Sequence, residues 1–248
     1  MFDNLDTDTT IQEETDRLGG SSALDSDLYD LNIKAAFLTF STGEAMCLNV
    51  HFETATKQEL RQKFWMTSAK SKGCKNYYTD SKGAKQYLPG FNRANALCLL
   101  TVGKEVGPLV KTGLEDQVIP LYNFAIKKEE PTKVQMLTAL LGKSITAGVV
   151  NQIVDKTAKD PDTGEYLPTG ETRHENEVDK FFRQRDGLTV PEIKARLKEP
   201  AFRDKWVAKW KGEVKDKTSD TSGATAGAPK PRQKREIGKQ APQEKLFA

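Results

Sequence analysis

From Tyr29 onward, apolar and polar positions alternate with a period of two, the signature of half-buried strands. YDLNIKAAFLTF, the turn Ser41-Thr42-Gly43 and EAMCLNVHFE together predict a hairpin with a short glycine-containing loop. In its second arm Met46, Leu48, Val50 and Phe52 alternate with Ala45, Cys47, Asn49 and His51, which predicts one buried face. A third strand is expected over residues 59–67. Leu60, Phe64 and Met66 form its core face; Arg61, Lys63 and Trp65 form the other, which is basic and aromatic.

Next comes KGCKNYYTDSKGAKQY, residues 72–87, with four lysines and three tyrosines around one aspartate and no leucine, valine or isoleucine. Asp80-Ser81-Lys82-Gly83 predicts a turn between two short extended arms. FNRANALCLLTVG then reads as a helix, capped by Asn92 and stopped at Gly103. A strand is expected near residues 118–126, and PTKVQMLTALLGK predicts a short helix ending near Gly142. A β-rich run follows from Ile145 to Val154, then a turn at DPDTGE (160–165) and an extended segment from Glu177 to Phe182. TVPEIKARL and PAFRDKWVAKWKGEVK read as helices, the first opened by Thr189 with Pro191 in its first turn. Phe202, Trp206 and Trp210 fall on one helical face, which is explained by docking on a core. The fold class is therefore mainly β with accessory helices (α+β), without an internal repeat.

Composition divides the chain. Hydrophobic residues make up 37% and mean hydropathy is -0.62, low for a chain that is compact throughout. Beyond Lys217 the residues are mostly Ser, Thr, Gly, Ala, Pro and Lys, which predicts a flexible tail. The expected organisation is an acidic segment over 1–27, one domain over 28–216 and a basic tail over 217–248. Net charge of +3 conceals this segregation: residues 1–30 balance at -8, residues 217–248 at +4, and the body between carries +7. Cys47, Cys74 and Cys98 are odd in number and widely spaced, and no signal peptide precedes them, so a reducing cytoplasm and no disulfide framework are expected. No apolar run approaches the ~20 residues of a membrane helix, so no membrane partner is expected.

One constellation stands out from this background. Arg61, Lys63 and Trp65 on a strand precede Lys70, Lys72, Lys75, Tyr77, Tyr78, Lys82, Lys85 and Tyr87 in the hairpin region. Binding a single strand without sequence preference needs cations along the phosphates and flat rings for the bases, each stack contributing roughly 1–3 kcal/mol. Same-face residues on a strand recur every ~7 Å, about two rises of ~3.4 Å along a nucleic-acid strand. Any one of these residues fits a solvated strand face equally well; the set taken together favours binding. Tyr77 and Tyr78 point to opposite sides of an extended arm, so one of them is open to a structural role.

Other signals carry less. LLGKS lacks the first glycine of a phosphate loop, whose place is held by Leu137. Asp160, Asp162 and Glu165 fit a hairpin turn, since the rest of a calcium loop is missing. Carboxylates for metal-dependent nuclease chemistry would have to come from scattered residues such as Asp155 and Glu177. His51 and His174 are the only histidines, and no zinc spacing or serine-histidine-acid arrangement appears, so neither a cofactor nor a catalytic residue is expected. Cys47 and Cys98 read as packing residues. In the tail, Lys230, Arg232, Lys234, Arg235, Lys239, Lys245 and Phe247 form either a solubilising extension or a docking peptide. The acidic head either competes with nucleic acid for the basic groove or is simply solvated.

The opening MFDNLDTDTT, the block LRQKFWMTSAKSKGCKNYYTDSKGAKQYLPGFNRANALCLLTVGKE, PTKVQMLTALLGK and PTGETRHENEVDK resemble bacteriophage single-stranded DNA-binding proteins of the podovirus type. The resemblance spans most of residues 1–210, and the middle block is its most specific part. It implies an OB-like β-barrel that coats single-stranded DNA and destabilises duplex during replication, recombination and repair in the cytoplasm of an infected bacterial host. It also implies recruitment of a DNA or RNA polymerase through the tail. Many proteins of this function end in acidic residues and a phenylalanine, whereas this tail is basic and ends in Ala248. An interaction protein acting as a transcription co-activator is the alternative, and a metal-dependent nuclease the third reading.

Overall fold

A computed structural model describes residues 23–123, 126–160, 164 and 166–218. The chain opens with an antiparallel meander of β1 (Asp27–Phe40), β2 (Met46–Thr54) and β3 (Glu59–Trp65). Leu38 pairs with Leu48 and Leu48 with Phe64, so alternate residues of all three strands share a face. Leu48, Val50, Phe52, Leu60 and Phe64 are buried on the inner face, as their spacing requires. On the outer face of β2, however, Cys47 and Asn49 are buried as well. Phe37 and Lys63 stand opposite Asn49, Thr39 and Trp65 stand opposite Cys47, and Asn49 Nδ2 donates to Thr39 Oγ1 at 2.7 Å.

β4 (Tyr77–Thr79) and β5 (Lys85–Tyr87) form the expected small hairpin. Its turn is held by Asp80, whose Oδ1 accepts from the backbone N–H of Lys82 and of Ala84, each at 2.9 Å. Helix α1 (Pro89–Val102) starts before Asn92, which is therefore not its cap. Pro89 explains the earlier start, because a proline in the first turn supplies a helical φ and lacks an N–H that would go unpaired there. The helix ends at Gly103 as expected, and a second short helix that was not anticipated, α2 (Val106–Thr112), follows.

The helix expected over Pro131–Gly142 is mostly a strand. β6 (Leu114–Asn123) and β7 (Lys128–Leu137) pair as a hairpin, and only Thr138–Leu140 form a single 3-10 turn. Tertiary pairing overrides local preference here. Val134 and Met136, two residues apart, are both buried in a cluster with Phe37, and β7 pairs with β1 at that point. Pro120 and Pro131 face each other across the hairpin, and β7 meets β1 only at Gln135 and Met136, so neither lost donor breaks a ladder bond with a third strand.

β8 (Ser144–Lys159) and β9 (Tyr166–Phe182) form the longest hairpin. Within the expected 160–165 turn, Gly164 N–H donates to the Asp160 carbonyl at 2.9 Å; Pro161, Asp162, Thr163 and Glu165 lie outside the described residues. Helix α3 (Val190–Lys194) opens with a capping box between Thr189 and Glu192. Helix α4 (Phe202–Trp210) docks through Trp206, which is buried and donates from Nε1 to Asp179 at 2.8 Å. The segment after Trp210, expected to continue the helix, turns into β10 (Val214–Asp216), a short strand parallel to β8.

The long strands lie in the order β3-β2-β1-β8-β9. β1 pairs with β2 along one edge and shares its other edge between β8, over Asp27–Asn32, and β7, at Phe37–Leu38. The sheet is predominantly antiparallel and does not close into a barrel. Between β3 and β9 the described hydrogen bonds come from the side chain of Gln62. Gln62 Nε2 donates to the Asn176 carbonyl at 2.9 Å, and its Oε1 accepts from Val178 N–H at 3.0 Å. A side-chain amide thus stands where a backbone ladder would close the expected barrel. Inside, Phe64 meets Phe181 edge-on at 5.9 Å, and Leu97 and Cys98 of α1 complete the core. Among the described residues no helix is long and apolar enough to cross a membrane.

Candidate nucleic-acid interface

The outer face of the β1-β2-β3 meander is laid out in rows by its register. Ala35, His51 and Arg61 form one, Phe37, Asn49 and Lys63 the next, and Thr39, Cys47 and Trp65 the third. Most of this surface forms part of a groove of about 780 Å³, also lined by Leu121 and Tyr122 of β6, Gln152 of β8, Arg173, Glu175, Asn176 and Glu177 of β9, and Lys217. Arg61 and Lys63 are exposed because their strand turns Leu60 and Phe64 inward. The Arg61 guanidinium lies 2.9 Å from Glu59, an exposed pair that holds it only weakly.

Two carboxylates face the four cations of the groove. Burial works to raise the pKa of Glu177, but a hydrogen bond from Lys217 at 2.8 Å and the charges of Arg93, Lys217 and Lys215 outweigh it, leaving the pKa below its ordinary value. Glu177 is therefore ionised and already matched. Glu175 accepts from Gln152 Nε2 at 2.7 Å and pairs with Arg173 at 3.4 Å. The pKa of His51 is lowered, first by burial and then by the charge of Arg61, so it is neutral near pH 7. Its ring sits edge-on to Phe37 at 5.4 Å.

Tyr122, 44% exposed, is the ring that the groove offers from β6. Trp65, also 44% exposed, lies one row beyond Lys63 on the same face of β3. Its backbone is fixed by α1, whose Gly90 packs so closely that a Cβ there would lie 2.2 Å from the Trp65 carbonyl oxygen.

The hairpin residues form a second place. Tyr77 and Tyr87 are paired across β4 and β5 and, with Asn76 and Lys85, line a hollow of about 410 Å³. Lys85 Nζ stands 5.0 Å from the Tyr77 ring centre and Lys75 Nζ 5.9 Å, a cation–π arrangement. Tyr87 packs on Phe91 of α1 at 5.0 Å and keeps 57% exposure; Tyr78 points to the other side and is 48% exposed.

The expected set is thus divided. Arg61 and Lys63 line the groove, with Trp65 beside them, while Lys75, Tyr77, Lys85 and Tyr87 gather on the hairpin. Lys70, paired with Glu44 at 2.7 Å, and the exposed Lys72 and Lys82 line neither. Lys230, Arg232, Lys234, Arg235, Lys239, Lys245 and Phe247 lie outside the described residues. Tyr122, Arg173 and Lys217 are additions that the sequence pattern did not single out. Local pattern marked none of the three: Tyr122 shares its strand phase with Val118 and Ile126, and Arg173 and Lys217 reach the groove only through long-range pairing.

No group of three or more potential metal ligands occurs among the described residues. Burial pushes the Cys47 thiol up to about 11 and the Cys98 thiol up to about 12, in keeping with packing roles. Compared with protein-family models and with curated proteins, the chain matches none.

Proposed function

We propose that this is a sequence-nonspecific single-stranded DNA-binding protein of the bacteriophage type, non-enzymatic, built on an OB-like arrangement with an open seam. The order β3-β2-β1-β8-β9, with α1 between the third and fourth of these strands in chain order, supports the OB-like reading. In such folds the face of the second and third strands receives oligonucleotides. The observation that carries the function is the groove on that face, where Arg61, Lys63, Arg173 and Lys217 stand beside the exposed ring of Tyr122. Cations at strand spacing meet phosphates, and rings accept any base because every base has a flat face.

A protein that binds only the open strand shifts the melting equilibrium by mass action, so duplex is destabilised without an energy source. Strand coating of this kind serves replication, recombination and repair in the cytoplasm of an infected host. In the same reading, the cationic tail contacts a DNA or RNA polymerase.

Titrating the protein with oligo-dT and with duplex, at several salt concentrations, tests the proposal. With about 0.7 counterions released per phosphate contact on a single strand, four groove cations give a log–log salt slope of about -2.8. Engagement of Lys75 and Lys85 as well steepens it to about -4.2. A flat dependence, or tighter binding of duplex, overturns the proposal.

A further inference from the structure

We propose that Gln152, on the wall of the groove, accepts a hydrogen bond from the pairing edge of a seated base, and so selects unpaired over paired strands without selecting a sequence. This rests on the groove being the DNA site. Gln152 belongs to β8, lines the groove and is 4% exposed. Its Nε2 donates to Glu175 Oε1 at 2.7 Å. Its Oε1 has no hydrogen-bond partner, and no other buried side-chain nitrogen or oxygen among the described residues is left so.

The orientation of the amide is fixed by its neighbours. Turned over, it would set its oxygen against Glu175, and a carboxylate has no hydrogen to give. Glu175 is in turn held by Arg173 at 3.4 Å. Three other donors of the groove are engaged elsewhere: Asn49 Nδ2 on Thr39 at 2.7 Å, Gln62 Nε2 on the Asn176 carbonyl at 2.9 Å and Lys217 Nζ on Glu177 at 2.8 Å. An unpaired buried acceptor is costly, so a ligand that brings a donor supplies what the free protein lacks. Exposed groove side chains such as Arg173 change rotamer within nanoseconds, which lets an entering base reach a group that is covered in the free protein.

Within a DNA strand only the bases can bring that donor, since phosphate and internal deoxyribose carry no N–H or O–H. Each base has one on its pairing edge: thymine at N3, guanine at N1 and N2, cytosine at N4 and adenine at N6. A lone acceptor therefore serves all four. In duplex, thymine N3–H and guanine N1–H are spent on the partner base and the edge faces inward, whereas an unpaired base offers it to protein.

The test compares oligo-dT with an oligonucleotide of N3-methylthymidine, in which a methyl replaces the donor hydrogen, on the full chain and its Gln152→Met variant. The parent is expected to bind oligo-dT about tenfold more tightly than the methylated strand, and the variant to bind the two alike. Equal binding by the parent would mean that water alone serves the Gln152 oxygen. A penalty of the same size in the variant would mean that the methyl merely clashes. Either result overturns the inference. Because Gln152→Met also removes the bond to Glu175, a second readout uses the parent alone: proton NMR of its oligo-dT complex is expected to show a thymine imino hydrogen protected from exchange with water, and its absence likewise overturns the inference. If the parent binds neither strand, the proposed function itself fails and the inference falls with it.

Discussion

Replacing Trp65 and Tyr122 together by alanine is expected to weaken oligo-dT binding by about 2–6 kcal/mol, the sum of two independent stacking contributions of roughly 1–3 kcal/mol each. A thermal melt run alongside separates lost stacking from lost folding, since each residue is 44% exposed and the rest of its surface is covered. Anisotropy of a labelled oligonucleotide is the suitable readout, since the substitution removes an intrinsic fluorophore. The loss is expected to be similar for oligo-dT, oligo-dC and oligo-dA. A loss confined to one base would mean that base edges are read, and an unchanged affinity would remove both rings from the path of the strand.

Gly90→Ala is expected to have the largest effect on stability of any glycine-to-alanine change among the described residues. Among the described glycines, a new Cβ meets nothing within 4 Å at six positions and a side chain at five. At Gly90 it meets only backbone, 2.2 Å from the Trp65 oxygen, 2.6 Å from its nitrogen and 2.8 Å from its carbonyl carbon. Relief requires α1 to lift from β3, which strips cover from Leu97 and Cys98 in the core. The cost is expected at or above the ~3 kcal/mol upper end of ordinary overpacking. Because Tyr87 packs on Phe91, one residue along the helix, the hairpin is expected to move with it. Urea denaturation gives the first number, and amide exchange at Tyr77 and Tyr87 reports the second. A variant as stable as the parent would show that the helix adjusts freely and does not fix Trp65.

How far the sequence reveals these features depends on how local each one is. The faces of β2 and β3 are legible because a period of two encodes direction directly, and that alternation alone assigns Arg61, Lys63 and Trp65 to the outer face. The hairpin turn is legible because Asp80 makes its bonds within four residues. β7 is not, because what makes it a strand is Phe37 and the edge of β1, far away in the chain. The open seam is hidden for the same reason: Gln62 is a polar residue on an otherwise apolar face, and its partners lie 114 and 116 residues away. Alternation cannot tell a strand that closes a barrel from one that leaves the gap to a side chain.

The candidate site divides along the same line. Its cationic floor is readable from one strand, but the sequence pattern groups that floor with the lysine and tyrosine hairpin as one binding set, whereas the structure gives them separate hollows. Arg173 and Lys217 enter the groove through the long β8–β9 hairpin and the turn into β10, neither of which local pattern could place.

The most direct test of the central claim is photo-cross-linking of an iodouracil-substituted oligo-dT to the full chain, with adducts mapped by mass spectrometry. Adducts at Trp65 and Tyr122 are predicted, with further adducts at Tyr77 or Tyr87 if a bound strand continues from the groove to the hairpin. Adducts confined to residues remote from both places, such as Tyr166 or the exposed face of α4, would contradict it.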